Sequence, residues 1–334
     1  MGAEAEARAD GGKAMVKGLV TAIQANFCQV SLEIPGPGGL DQLLCTRRSR
    51  LGQAGARIHV GDRVGLEGID WPAGRAAVGD LLPRTSLLGR PPVANCDRIV
   101  VVIAMADPVP DPEQLSRFLI TAEHSGQPVQ VVFSKVDLVP FVQLESWCQR
   151  LRSWGYDPIA VSAASGEGMA SLKQRLAQPG ISVLCGPSGV GKSSLLNALV
   201  PALALRVGTV SGRLRRGRHT TRHVELFPLA SGALIADTPG FNRPELPRDP
   251  AVLSALFPEI VDALRQGGPC RFSNCQHRGD PGCQVGTAWD RYAYYAEGLE
   301  ELLQASPAPV ETRFQRQPSG PSRRRQRQQA PDLG

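Results

Sequence analysis

Ile181-Ser-Val-Leu-Cys185, Gly186-Pro-Ser-Gly-Val-Gly191 and Lys192-Ser193 run together as an apolar strand, a glycine-rich turn and the opening of a helix. The turn fits G-x-x-x-x-G-K-[ST] without a mismatch. Its glycines let backbone N–H groups point inward around phosphate oxygens, and the helix that follows directs its positive end at them. The expected phosphate-binding set is Gly186, Pro187, Ser188, Gly189, Val190, Gly191, Lys192, Ser193 and Ser194. Lys192 is expected to reach the β- and γ-phosphates, and Ser193 to offer its hydroxyl to Mg²⁺.

Upstream of this loop, at the end of an apolar run, stands Ser134-Lys135-Val136-Asp137, close to the Asn-Lys-x-Asp that reads guanine. In ordinary guanine-nucleotide domains the phosphate loop comes first, so the order here is inverted. A carboxylate at Asp137 accepts from guanine N1–H and N2–H₂, groups that adenine lacks, and the wrong base leaves it unpaired. Lys135 is expected to cover the base or brace the loop with its stem. Ser134 stands where Asn is usual, so a side-chain amide is missing. Val161-Ser162-Ala163 follows the next strand, where Ser162 and Ala163 are expected to close over the base edge.

Downstream, Asp237-Thr-Pro-Gly240 follows the apolar run 233–236. Asp237 is expected to hold Mg²⁺ through water, and the Gly240 N–H to meet the γ-phosphate. Residues 206–222 contain six Arg and no acid, and include His219, Thr220 and Thr221. Thr220 or Thr221 is positioned to give its hydroxyl to Mg²⁺, and the arginines suit RNA phosphate. Many GTPases place Gln after the glycine to orient the attacking water; here it is Phe241. His219, beside the switch threonine, is the nearest catalytic candidate by sequence in its stead, a structural histidine being the other reading.

Around this centre the β-branched run 98–104 lacks alternation, as in a strand buried on both faces of a parallel sheet. Helices are expected over 112–124 and 141–153, and strands over 129–133, 158–161, 181–185, 224–229 and 233–236. Strands alternating with helices predict a doubly wound α/β domain over 90–245. Residues 14–83 carry short β-rich runs between turns, which predicts a five-stranded OB-type barrel, an RNA-binding fold. Arg47-Arg-Ser-Arg50 places three positive charges in it, either as a solvated loop or as an RNA contact.

Helical segments resume after Pro247 and frame Cys270-x₄-Cys275-x-His277-x₅-Cys283. Three thiolates and one imidazole suit a closed tetrahedral Zn²⁺ site, structural because no position stays open. One Zn²⁺ per chain is expected, in a small helical domain over 246–304. Residues 305–334 are expected to form a basic disordered tail.

The 334 residues carry 42% hydrophobic and 20% charged side chains, the balance of an ordinary soluble protein. Of the net charge of +6, residues 306–334 hold +4, so the basic excess is local. The first dozen residues lack an apolar core of a signal sequence, and the longest apolar run, 99–106, is too short to cross a bilayer. A cytoplasmic protein with no membrane partner is expected, its cysteines reduced or metal-bound.

With these residues the chain resembles the circularly permuted, ribosome small subunit-dependent GTPases of bacteria, the RsgA family. The resemblance covers about residues 14–300 and includes Leu82-Pro-Arg84, Arg90-Pro-Pro-Val-Ala-Asn95, Asp97, Gly217-Arg-His-Thr-Thr221 and the Cys₃His spacing. It implies an N-terminal OB-fold, a permuted GTPase domain and a C-terminal zinc domain. It also implies late maturation of the small (30S) subunit, contact with its 16S rRNA, and hydrolysis of GTP to GDP stimulated by that subunit. The family's catalytic switch histidine maps onto His219. A monomer is expected. Two other readings remain: an rRNA-binding assembly factor in which nucleotide only tunes affinity, and a P-loop ATPase. A mechanical expectation follows from the permutation: loss of the γ-phosphate moves Gly240 and tilts the zinc domain joined to it.

Overall fold

The computed structural model describes residues 15–24, 26–47, 57–89, 91–200, 203, 224–237 and 244–305, with Asp237 described by its backbone alone. The first five strands are β1 (Val16–Gln24), β2 (Phe27–Leu32), β3 (Gln42–Arg47), β4 (Arg63–Asp70) and β5 (Arg75–Leu81). They pair in the order β1-β2-β3-β5-β4 and return to β1, closing a barrel. Only the β3–β5 contact is parallel. β1 serves both ends of this ring, and its register shifts between Val20 and Ala22, where the strand must bend. Alternate residues Val20, Val30, Leu43, Val64 and Val78 fill the interior. The expected OB-type barrel is present.

The next unit holds β6 (Cys96–Ala104), α1 (Pro112–Glu123), β7 (Val129–Ser134), α2 (Phe141–Ser153), β8 (Ile159–Ala160), α3 (Met169–Leu176), β9 (Gly180–Cys185), α4 (Lys192–Leu199), β10 (Glu225–Pro228) and β11 (Ala233–Asp237). Its sheet runs β10-β11-β9-β6-β7-β8, parallel except for β10. β6 is buried on both sides: Ile99, Val101 and Ile103 face α1 and α2, while Val100, Val102 and Ala104 face α3 and α4. That two-sided burial is why the strand reads as a continuous apolar run. The strand entering the phosphate loop, β9, is fourth in chain order yet lies at the sheet's centre, between β11 and β6.

The barrel is fastened to this sheet rather than tethered to it. Ala22 of β1 pairs with Glu225 of β10. The fully buried Asp62 takes a two-pronged contact from Arg84, at 2.6 and 2.8 Å. Asn95 donates to the Gly61 carbonyl at 2.8 Å, and Ala94 N–H to Val60 at 2.8 Å. A Cβ at Gly61 would stand 2.0 Å from the Ala94 carbonyl, so only glycine permits that approach.

Three α-helices complete the described residues: α5 (Pro250–Leu253), α6 (Pro258–Gly267) and α7 (Tyr292–Ala305). Asp249 caps α5 by accepting from Ala251 N–H at 2.9 Å. Leu253, Phe257, Ile260, Tyr295 and Leu299 form their core together with Ile120 of α1. Arg291 is fully buried at this seam. Its guanidinium forms a two-pronged ion pair with Glu259 and lies over Phe257 (4.6 Å), Trp154 (5.0 Å) and Tyr156 (5.7 Å). Asp290 accepts from Arg150 at 2.6 and 3.0 Å and from the Trp154 indole at 2.7 Å. Among the described residues no helix is long and apolar enough to cross a membrane.

Candidate nucleotide and metal sites

β9 delivers the chain to the phosphate loop beneath the C-terminal ends of the strands, where ligands of open α/β sheets bind. Gly186 has φ of 136°, and a Cβ there would meet the Val102 carbonyl of β6 at 2.1 Å. Gly191 has φ of 90° at the start of α4. The loop therefore lies directly on β6 at Gly186, where a side chain would lift it off, while Gly191 supplies the positive φ that turns the chain into the helix. Lys192 folds back over it, donating to the carbonyls of Gly186 and Pro187 at 2.7 Å each. Ser193 and Ser194 stand half-buried in the first turn of α4.

Ser134 closes β7 and is buried. Its hydroxyl lies 2.6 Å from the Val190 carbonyl and 3.3 Å from that of Ile103, so the shorter contact takes its proton. The residue standing where Asn is usual thus ties the base motif to a phosphate loop 56 residues away. Lys135 adopts the left-handed conformation with φ of 56°. Its ammonium donates to the Asp107 carbonyl, and its stem passes 3.8 Å from where a Cβ on Gly191 would stand. Val136 and Asp137 form a single turn of 3₁₀ helix ending at Leu138, with the Asp137 carboxylate exposed.

The neighbouring loop is tied to the same strand ends. Val161 N–H donates to Phe133 at 2.8 Å, and Val136 N–H to Val161 at 3.4 Å. Ser162 is fully buried, its hydroxyl accepting from the N–H groups of Ala164 (3.2 Å) and Ser165 (3.0 Å). Its side chain is spent on shaping the turn, beside the half-buried Ala163. Two participants escaped the sequence reading. Asp107 supplies the carbonyl that fixes Lys135, and its signal was the Asp107-Pro108 pair just past a buried strand. Asp97, named only within the family resemblance, accepts from Ile181 N–H at 2.8 Å and so pins the start of β9.

Asp237 ends β11 beside β9; its side chain, and the whole of Gly240, lie outside the described residues. So do His219, Thr220, Thr221, the arginines of 206–222 and the tail 306–334.

The Cys/His cluster forms a separate centre on the C-terminal unit. Nδ1 of His277 lies 3.6, 3.8 and 3.7 Å from the sulfurs of Cys270, Cys275 and Cys283, and all four ligand atoms fall within 4.8 Å of one another. Tetrahedral zinc with ordinary Zn–S and Zn–N bonds sets such S···N separations at about 3.6 Å, so the donor set fits that ion. Burial pushes the Cys283 thiol up, but N–H groups of Val285 and Gly286 and the other two sulfurs bring it below the usual thiol range, whereas burial and the same sulfurs push Cys275 up to about 11. A metal bound here would displace the thiol protons that remain. His277 reaches the cluster from a left-handed backbone with φ of 54°, and the Tyr295 hydroxyl anchors its neighbour by donating to the Gln276 carbonyl at 2.7 Å.

Comparison with known proteins agrees with this architecture. The RsgA GTPase family model matches residues 81–247. The small ribosomal subunit biogenesis GTPase RsgA of Prochlorococcus marinus (strain MIT 9303) is 54% identical over 296 residues, spanning 85% of this chain and 92% of the relative. Its counterpart in Synechococcus sp. (strain CC9605) is 54% identical over 293 residues, spanning 88% and 96%. The crystal structure of YjeQ from Thermotoga maritima superposes with a TM-score of 0.72 at 30% identity, covering 86% of this chain and 98% of that one. That of YloQ, a circularly permuted GTPase, gives 0.71 at 27% identity, covering 90% and 99%. A family model over residues 81–247 and relatives more than half identical along most of their length show one thing: the chain belongs to the RsgA GTPase family.

Proposed function

We propose that this chain hydrolyses GTP to GDP and phosphate while bound to the small ribosomal subunit, and that it acts in that subunit's late maturation as a cytoplasmic monomer. The observation that carries the reading is the tie of Ser134 to Val190 and of Lys135 to Asp107 across the phosphate loop. A base motif and a phosphate loop built into one rigid cleft suit a guanine nucleotide bound end to end. Asp137 takes the guanine edge, the Ala163 backbone closes over it, and Lys135 covers the base. Gly186 to Ser194 cradle the phosphates, with Lys192 leaving its own loop carbonyls for the β- and γ-oxygens.

Ser193, Asp237 through water, and one of Thr220 and Thr221 are the groups suited to Mg²⁺, whose charge offsets that developing on the transferred phosphoryl group. The Gly240 N–H meets the γ-phosphate. His219 orients the attacking water in the role that Phe241 cannot fill. Because the barrel and the segments 47–50, 206–222 and 306–334 supply clustered arginines, the partner surface is the subunit's 16S rRNA. Zn²⁺ at Cys270, Cys275, His277 and Cys283 is structural. The domains fall at 14–83, 90–245 and 246–304, with a tail over 305–334.

The test is GTP turnover by the wild type and His219→Ala, each with and without purified small subunits. The proposal expects strong acceleration of the wild type and at least about a 100-fold loss of the accelerated rate in the variant. No acceleration of the wild type would favour an assembly factor in which nucleotide only tunes affinity. Equal acceleration of both would remove His219 from the mechanism.

A further inference from the structure

Beside the metal cluster, on the side facing α5, α6 and α7, the C-terminal unit carries a groove of about 790 Å³. Its floor is apolar and includes Leu264 and Leu299. Its lip is the turn from Phe272 to Cys275, closed by the Cys275 N–H donating to the Phe272 carbonyl at 3.2 Å. Cys275 belongs to the candidate metal cluster, so an ion held there would also fix the lip. Ser273 and Asn274 form the tip of that turn, and both line the groove. Among the described residues their hydroxyl and amide have no protein partner. Phe272 is 53% exposed, although a ring of its size ordinarily seeks burial. The Arg271 guanidinium sits 5.5 Å from the centre of that ring.

An exposed aromatic ring capped by a guanidinium, next to free amide and hydroxyl groups, is the equipment that receives an unstacked nucleobase. The ring takes the base's face, and Ser273 and Asn274 take its edge. Arg265 and Arg278 are paired with Asp262 (2.8 Å) and Glu300 (2.7 Å), so Arg271, against the ring, is the cation of this loop that faces a ligand. Asp249 is the acid lining the groove, and its carboxylate is occupied with the Ala251 N–H.

We propose that this groove captures an unpaired base of RNA, with Phe272 as the stacking platform and Ser273 and Asn274 reading the base edge. The proposal rests on the reading that the chain works on ribosomal RNA, and it assigns to the zinc-binding unit a recognition task besides its fold.

The test uses the full, zinc-loaded chain with a short, fluorescently labelled single-stranded RNA of mixed sequence and an equally long RNA duplex. Phe272→Ala is expected to weaken single-strand binding about tenfold and leave duplex binding unchanged, because duplex bases are already stacked. Phe272→Tyr is expected to restore it. Asn274→Ala is expected to shift the preference among homopolymeric RNAs. Zinc content and subunit-free GTP turnover should match the wild type in every variant. Unchanged single-strand affinity in Phe272→Ala, or an equal loss on duplex, overturns the proposal. Co-sedimentation with small subunits separates this idea from the functional reading beneath it. If the wild type fails to bind subunits while Phe272→Ala still loses single-strand RNA, the groove stands and the ribosomal assignment falls. If Phe272→Ala loses subunits but not single-strand RNA, the groove belongs to a ribosomal protein and the proposal is wrong.

Discussion

Ser134 carries most of what the sequence left open about the base motif. Its neighbours Lys135 and Asp137 were readable as guanine-binding letters because spacing alone defines them. What Ser134 does was not readable, since its partner Val190 lies 56 residues on and is met only in three dimensions. Replacing it by Ala leaves a buried carbonyl unpaired, which costs about 1–3 kcal/mol. Ser134→Ala should therefore bind a fluorescent GDP analogue about tenfold more weakly, read by equilibrium titration. Unchanged affinity would mean that the tie to Val190 does not shape the site. Ser162 teaches the same lesson: its place after β8 was legible, its use as a turn brace was not. His219, Thr220 and Thr221 lie outside the described residues, so their roles rest on the sequence and on the turnover test.

At the scale of elements, the metal loop was legible and its docking was not. Four ligands within fourteen residues announce themselves by type and spacing. Asp290 and Arg291 look like any charged surface pair, yet they enter the seam with Trp154, Tyr156 and Phe257. Cys283→Ser should speed hydrogen exchange across 270–291 and leave β6, β7 and β9 protected, because the short loop has little core of its own. Exchange unchanged in 270–291 would contradict a structural metal. Removing one partner of a buried ion pair costs about 3–5 kcal/mol because the other charge is left uncompensated, whereas replacing both partners by apolar side chains of similar volume is often neutral. Arg291→Ala should thus lower the unfolding midpoint of the C-terminal unit in urea far more than the double substitution Arg291→Met with Glu259→Leu. The Asp290 carboxyl is held below its usual range, chiefly by the hydrogen bond from Arg150 against a smaller opposing effect of burial, with the Trp154 indole adding to it. Its folded value lies below the unfolded one, so its contribution is full above about pH 4 and fades as acid protonates it. Tryptophan fluorescence should therefore report a seam indifferent to pH near neutrality and loosened only in acid.

At the scale of the molecule, the permutation looked in the sequence like a means of hanging the zinc-binding unit on the second switch. The seam changes that picture. Among the described residues, the unit is held by α1 and by the end of α2 through Ile120, Arg150 and Trp154. The N–H of Glu245, five residues past Gly240, donates to the Thr121 hydroxyl of α1 at 3.0 Å. Spin-label distances between α1 and α7 should accordingly match in the GTP and GDP states; a shift of several ångströms would revive the tilting expectation. The permuted order reads instead as a different route around the same sheet, legible because motif order is a property of sequence. It brings Asp137, after β7, and Gly186 to Ser194, after β9, from separate parts of the chain to the same edge of the sheet, with β6 between the two strands. Whether they act as one guanine site is tested most directly by Asp137→Asn, assayed for turnover of GTP and of xanthosine triphosphate. The amide offers donors to the xanthine C2 carbonyl and loses the carboxylate's grip on guanine N1–H and N2–H₂. The account predicts that GTP preference falls at least about 100-fold and that xanthosine triphosphate becomes the better substrate. Undiminished preference for GTP in that variant would contradict it.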